Sequence, residues 1–142
     1  MITAPDDYLA DAATWIAKAL GINKLNFTLD IHIYEKGEAN PGSGWIEYAD
    51  GHADIYVTYD LSERECIIDI LAHEMVHLKQ YLTGQLKDVP GMNLVMWEGS
   101  VYPTSNDPTS SYYWDAPWEI EAFGRSGGLE YRYKAQREKN GH

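Results

Sequence analysis

Ile67-Ile68-Asp69-Ile70-Leu71-Ala72-His73-Glu74-Met75-Val76-His77-Leu78 is the stretch from which the rest of the chain is read. Ile67, Ile68, Leu71, Met75, Leu78 and Leu82 recur at three- and four-residue spacing, the period of a helix with an apolar face. Ser62-Glu63-Arg64-Glu65 before it matches a capping box, with Ser62 as N-cap and Glu65 reaching back, and Gly84 marks the stop. The pentapeptide His73-Glu74-Met75-Val76-His77 therefore falls in the middle of a helix. At about 100° per residue, His77 lies about 40° around that helix from His73 and about 6 Å further along it. Both imidazoles can converge on one metal ion. Glu74, offset to the side of the same face, can reach water held there without being forced to ligate. Burying two histidines and a glutamate unpaired would be costly, which favours a site over an accident.

Working outward, the segment before this helix supplies strands. Residues 45–48 and 53–59 read as two strands, and Asp50-Gly51 between them is a hairpin signal. Further upstream, Leu25, Phe27, Leu29, Ile31 and Ile33 alternate with polar or amphipathic residues, the period of a half-buried strand. Residues 36–44, with Asn40-Pro41-Gly42, read as a loop. Leu9, Ala13, Ile16 and Leu20 describe an amphipathic N-terminal helix from Asp6 or Asp7, stopped by Gly21. Downstream, residues 84–116 are rich in Gly, Pro, Ser, Asp and aromatics and read as irregular, a length uncommon unless functional. Asp115-Ala116-Pro117 then opens a further helix, with Asp115 as cap and Pro117 in its first turn. Gly124, Gly127 and Gly128 are expected to weaken or divide it.

The whole chain sets bounds on function. Its 142 residues suit one domain over 1–142, with 44% hydrophobic and 23% charged residues, an ordinary globular balance. A formal net charge of −11 argues against a nucleic-acid partner, which needs a basic face. No apolar run approaches the roughly 20 residues that span a bilayer, so no membrane partner is expected. The single cysteine, Cys66, excludes a disulfide framework and a cysteine-based zinc finger. With no secretory signal visible at the N-terminus, that cysteine usage suggests a cytoplasmic protein.

A catalytic zinc needs a third protein ligand and one open position. Gln80 and Thr83 stand where a continued motif would bring a nearby third histidine. His32 on a strand and His52 in a hairpin turn read as surface residues, and His142 is the terminus. Glu119 and Glu121 on the last helix remain, although the helix dipole alone explains one acidic residue in a first turn.

His-Glu-x-x-His followed at a distance by Glu-x-x-Ala resembles the gluzincin metallopeptidases. Small single-domain members, minimal gluzincins and phage-type metallopeptidases among them, share the order of strand, hairpin and helix. The resemblance rests on residues 62–83 and 115–124. It implies an α+β, zincin-like domain. Its parts would be an N-terminal helix, a three-stranded and mostly antiparallel sheet, the His-Glu-x-x-His helix, and a C-terminal helix carrying the third ligand. It implies one zinc ion held by His73, His77 and Glu119, with Ala122 allowing the two helices to pack closely and Glu74 acting as general base. Phe123 departs from the pattern, standing where an aspartate would orient a zinc-bound histidine. Asp69, one turn before His73, is a substitute for that role, and Glu121 stays open as an alternative ligand.

The expected activity is zinc-dependent hydrolysis of a peptide or protein substrate. A non-catalytic, zinc-stabilised binding or sensor module is the alternative. For substrate, residues 53–57 are the candidate edge strand that would pair with an extended backbone. Tyr112, Tyr113, Tyr131 and Tyr133 are candidate phenols for stabilising an oxyanion, each with an ordinary packing role as its competitor.

Overall fold

The computed structural model describes residues 1–35, 44–59, 67–105, 107 and 109–141. The Ser62 capping box, Cys66, most of the loop from Lys36 and His142 lie outside the described residues. In chain order the elements are β1 (Ile2–Thr3), α1 (Asp7–Ala19), β2 (Thr28–Glu35), β3 (Gly44–Ala49), β4 (His52–Tyr59), α2 (Ile67–Leu82), β5 (Leu86–Val89), β6 (Leu94–Trp97), β7 (Ser100–Pro103), α3 (Ser111–Trp114) and α4 (Pro117–Lys139). The chain is α+β. No described helix is long and apolar enough to cross a membrane.

Apolar side chains on alternate strand residues build one buried face: Leu29 and Ile31 on β2, and Ala53, Ile55 and Val57 on β4. Leu9, Ala13 and Ile16 of α1 and Ile68, Leu71, Met75 and Leu78 of α2 complete that core, with Ala122, Leu129 and Tyr133 of α4. Asp6 caps α1 by accepting from the Leu9 amide at 2.8 Å. The opposite face of the sheet carries Asp30, His32, Tyr34, Trp45, His52, Asp54 and Tyr56. Their partial exposure contrasts with the buried face.

The sheet departs from the expected one. It has four strands in the order β1-β2-β4-β3, and β1, β2 and β4 run parallel while only β3 is antiparallel to its neighbour. The β3–β4 hairpin forms as Asp50-Gly51 signals, with both residues at positive φ. Yet β4, not β3, docks beside β2, because β4 carries the fully buried apolar row while the exposures of β3 remain intermediate at best. Residues 53–57 are thus the centre of the sheet, and β3 is its edge. Strand β1 is only two residues long, too short for any period to be seen. It is held by the Met1 ammonium donating to the Phe27 carbonyl at 3.0 Å.

Residues 84–116 are only partly irregular: three strands and the short helix α3 occupy about half of the stretch. Strands β5, β6 and β7 form a second, antiparallel sheet, with Val95 opposite both Asp88 and Tyr102. Each strand is four residues long, below the length at which alternation stands out from noise. Gly91 and Gly99 supply the positive φ of its turns. Leu86, Val95, Ala116 and Trp118 form its own small core, with Tyr81, Trp97 and Tyr102 packed against them. That core ties the second sheet to the end of α2 and the start of α4.

Helix α4 runs undivided for 23 residues despite its three glycines. Each glycine costs about 1 kcal/mol relative to alanine in a helix. Burial of Trp118, Ala122, Leu129 and Tyr133 outweighs that cost, and Tyr133 also donates to Asp11 of α1 at 2.8 Å. Asp115 is not its cap. It closes the short α3 instead, and Ala116 precedes Pro117 at the start of α4 with no side-chain cap.

Candidate metal centre and active site

Helix α2 presents His73, Glu74 and His77 toward the start of α4, where Glu119 lies in the first turn. One carboxylate oxygen of Glu119 meets both histidines: Oε1 is 3.0 Å from His73 Nε2 and 3.1 Å from His77 Nε2. The side chains retain only 12%, 8% and 13% exposure for His73, His77 and Glu119, so water competes little for their charges. The three donor atoms lie within 4.8 Å of one another. Glu121 lies elsewhere. Its carboxylate accepts from Gln80 Nε2 at 3.0 Å and from Lys79 Nζ at 3.4 Å.

Electrostatics couple these groups. Burial disfavours the Glu119 carboxylate, but hydrogen bonds from His73 and His77, and their charge, hold its carboxyl down at about 2. Burial likewise disfavours the His77 imidazolium, yet its bond to Glu119 and the charges of Glu74 and Glu119 push it up to about 9. Glu74 is 5% exposed, and burial raises its carboxyl above the usual range against the pull of His77 and His73. A raised glutamate beside two imidazoles is a better proton acceptor than an exposed one.

Gln80 is the residue whose role the sequence hid. It is fully buried, and its Oε1 accepts from His77 Nδ1 at 2.7 Å. Its amide nitrogen donates to the Trp118 carbonyl and to Glu121, both at 3.0 Å, so the side chain cannot turn around without losing these bonds. With the Nδ1 hydrogen engaged, His77 can offer the Nε2 lone pair to a metal. With a zinc ion on these ligands, Gln80→Leu would weaken its affinity by about 10–100-fold, measured by competition with a chelating dye. It should also cost roughly 1–3 kcal/mol for each buried partner left unpaired, read from denaturant unfolding. Unchanged affinity would show that His77 needs no orienting partner.

His73 is held differently. The ring of Phe123 packs edge-on against it with centroids 4.4 Å apart, so contact stands where an aspartate would have donated direction by hydrogen bonding. Asp69 borders a hollow with His73, Glu74, Tyr113 and Phe123, but no hydrogen bond between Asp69 and His73 is found among the described residues. The substitute role expected for Asp69 is therefore not seen.

A cleft runs past these groups. Gly44, Trp45 and Ile46 of edge strand β3 form one wall, and Leu86, Val89 and Leu94 of the second sheet form another. Tyr112 and Tyr113 border it, whereas Tyr131 points outward at 76% exposure and Tyr133 is buried on Asp11. Burial, and then the charges of Glu119 and Glu74, push the Tyr113 phenol up to about 12. Tyr81, one turn after His77 on the same face, also borders the cleft and donates to Asp88 at 3.0 Å. Its spacing from His77 was the available signal.

Gly44 brings β3 close to α2. A Cβ built there would stand 2.8 Å from Ile70 Cγ2, 3.0 Å from the Tyr56 carbonyl and 3.1 Å from Glu74 Cγ. Gly44→Ala should push the edge strand off the helix, costing about 1–3 kcal/mol in thermal or denaturant unfolding. Wild-type stability in that variant would mean that the close approach has no role. No known protein family, curated protein or solved structure matches this chain.

Proposed function

We propose that the chain is a zinc-dependent metallopeptidase of gluzincin type, in which His73, His77 and Glu119 hold one zinc ion and Glu74 is the general base. The observation that carries this reading is the meeting of two imidazole Nε2 atoms on one carboxylate oxygen, at 3.0 and 3.1 Å, beside a buried glutamate. The donor set fits zinc. Ligands at about 2.0–2.2 Å in a tetrahedral site stand about 3.4 Å apart, so a slight outward movement of Glu119 makes room for an ion.

Zinc held there supplies a Lewis acid that acidifies water and polarises a carbonyl. Glu74 takes the proton as the water oxygen bonds to the peptide carbon. It returns that proton to the amide nitrogen as the C–N bond breaks; the second proton of the water then passes from the new carboxyl group to the released amine, leaving a carboxylate and an ammonium group. Gln80 keeps the Nδ1 hydrogen of His77 engaged throughout. An extended polypeptide suits the cleft, because β3 is an edge strand along one wall and can add main-chain hydrogen bonds with little regard to sequence.

A zinc-stabilised binding module would close its metal with a fourth protein ligand. Among the described residues the candidates for that role are occupied elsewhere: His32 and His52 pair with Asp54 on the far face of the sheet, and Glu121 is engaged by Gln80 and Lys79. This favours the open, catalytic arrangement. The test is metal analysis of the purified protein together with proteolysis of an unfolded substrate, with Glu74→Gln as control. Stoichiometric zinc and activity lost in that variant support the reading. Absence of zinc, or activity indifferent to the substitution, overturns it.

A further inference from the structure

On the solvent face of the main sheet, remote from α2, two histidines and two aspartates converge. Strands β2 and β4 are parallel and in register, with Thr28 opposite His52 and Asp30 opposite Asp54. Alternate residues share a face, so all four point outward together. His52 Nε2 lies 3.2 Å from Asp54 Oδ2 and 3.7 Å from Asp30 Oδ2. His52, Asp30 and Asp54 thus offer three donor atoms within 4.8 Å of one another. Those two distances bracket the separation of about 3.4 Å between neighbouring ligands of a tetrahedral zinc ion.

Two further contacts make this more than a group of surface charges. His52 Nδ1 is bonded to Thr28 Oγ1 at 2.6 Å, and the other oxygen of Asp54 is bonded to His32 Nε2 at 2.9 Å. His32 is itself stacked on Tyr56 with ring centroids 4.7 Å apart. Two of the three donors are therefore each aimed by a partner of their own, as metal-binding histidines and carboxylates are. Charge points the same way. Glu47 of β3 lies opposite Asp54, so Asp30, Asp54 and Glu47 form a row of carboxylates across three strands. Like charges directly opposite in a sheet repel, and a divalent cation would offset that.

We propose that His52, Asp30 and Asp54 form a second divalent-metal site on the open sheet face, with Thr28 and His32 orienting the ligands. Imidazole with two carboxylates suits zinc and its borderline neighbours cobalt and nickel better than calcium or magnesium, which prefer oxygen alone. The site does not depend on the helix site or on any catalytic role for the chain.

Zinc titration by equilibrium dialysis, paired with imidazole 15N NMR, tests the proposal. The Glu119→Ala protein, with the helix site disabled, should still bind zinc on the sheet. Adding His52→Ala or Asp30→Asn to it should abolish that binding, and Thr28→Val should weaken it by about tenfold or more. Zinc should move the His52 Nε2 resonance in the wild-type protein, a readout that needs no variant to fold. The proposal is overturned if zinc leaves that resonance in place. Equal zinc binding with and without His52 and Asp30 would overturn it as well.

Discussion

Glu74→Gln is expected to lower hydrolysis of an unfolded polypeptide by about 10²–10⁴-fold while leaving bound zinc at the wild-type level. The amide fills the same space as the carboxylate and accepts no proton at neutral pH. Stability should not fall with activity. Burial raises the Glu74 carboxyl above the usual range, which means that the charged form is disfavoured inside the fold. A neutral amide relieves that penalty, so the melting temperature of the metal-free variant should equal or exceed that of the metal-free wild type. Activity within tenfold of wild type would remove Glu74 from proton transfer. Loss of zinc alongside loss of activity would instead make it a ligand.

Replacing the two neighbouring glutamates one at a time separates ligand from bystander. Glu119→Ala should lose zinc affinity at the helix site by more than the roughly 10–100-fold typical of losing a ligand's hydrogen-bonding partner. Activity should go with it. Glu121→Ala should keep stoichiometric zinc, since Glu121 reaches only Gln80 and Lys79. The reverse result would exchange their roles. Metal-free protein gives an independent check. His77 is raised to about 9 against burial by its bond to Glu119 and by the charges of Glu74 and Glu119, so its protonated form stabilises the fold. That contribution is complete below the ordinary histidine value of about 6.5 and fades as pH rises toward 9. Metal-free wild type should therefore lose stability over that interval, and Glu119→Ala should lose much less. A pH-independent wild type would contradict the pairing of His77 with Glu119.

How far the fold was legible depended on element length. Helix α1, strand β2, the β3–β4 hairpin and helix α2 each carry a period long enough to read, and each formed, although β2 begins only at Thr28, past the first three residues of its alternating run. The three four-residue strands of the second sheet and the two-residue β1 carry none, so no period in the sequence announces them. Helix α4 misled for another reason: its glycines predict a break, but burial of Leu129 and Tyr133 holds it together. The direction of the sheet was also out of reach, since the hairpin fixes only β3 against β4. Which of the two docks beside β2 is decided by burial of Ala53, Ile55 and Val57.

The same division runs through the site. His73, Glu74 and His77 owe their common face to the helical period, a local property that sequence by itself determines. Glu119 is 42 residues beyond His77, and only the packing of α4 on α2 brings its carboxylate to both imidazoles. Gln80 as the partner of His77, Phe123 against His73 and β3 as the edge strand were decided there too. Side-chain direction and strand order follow from which surfaces bury each other, and that choice belongs to the folded chain as a whole.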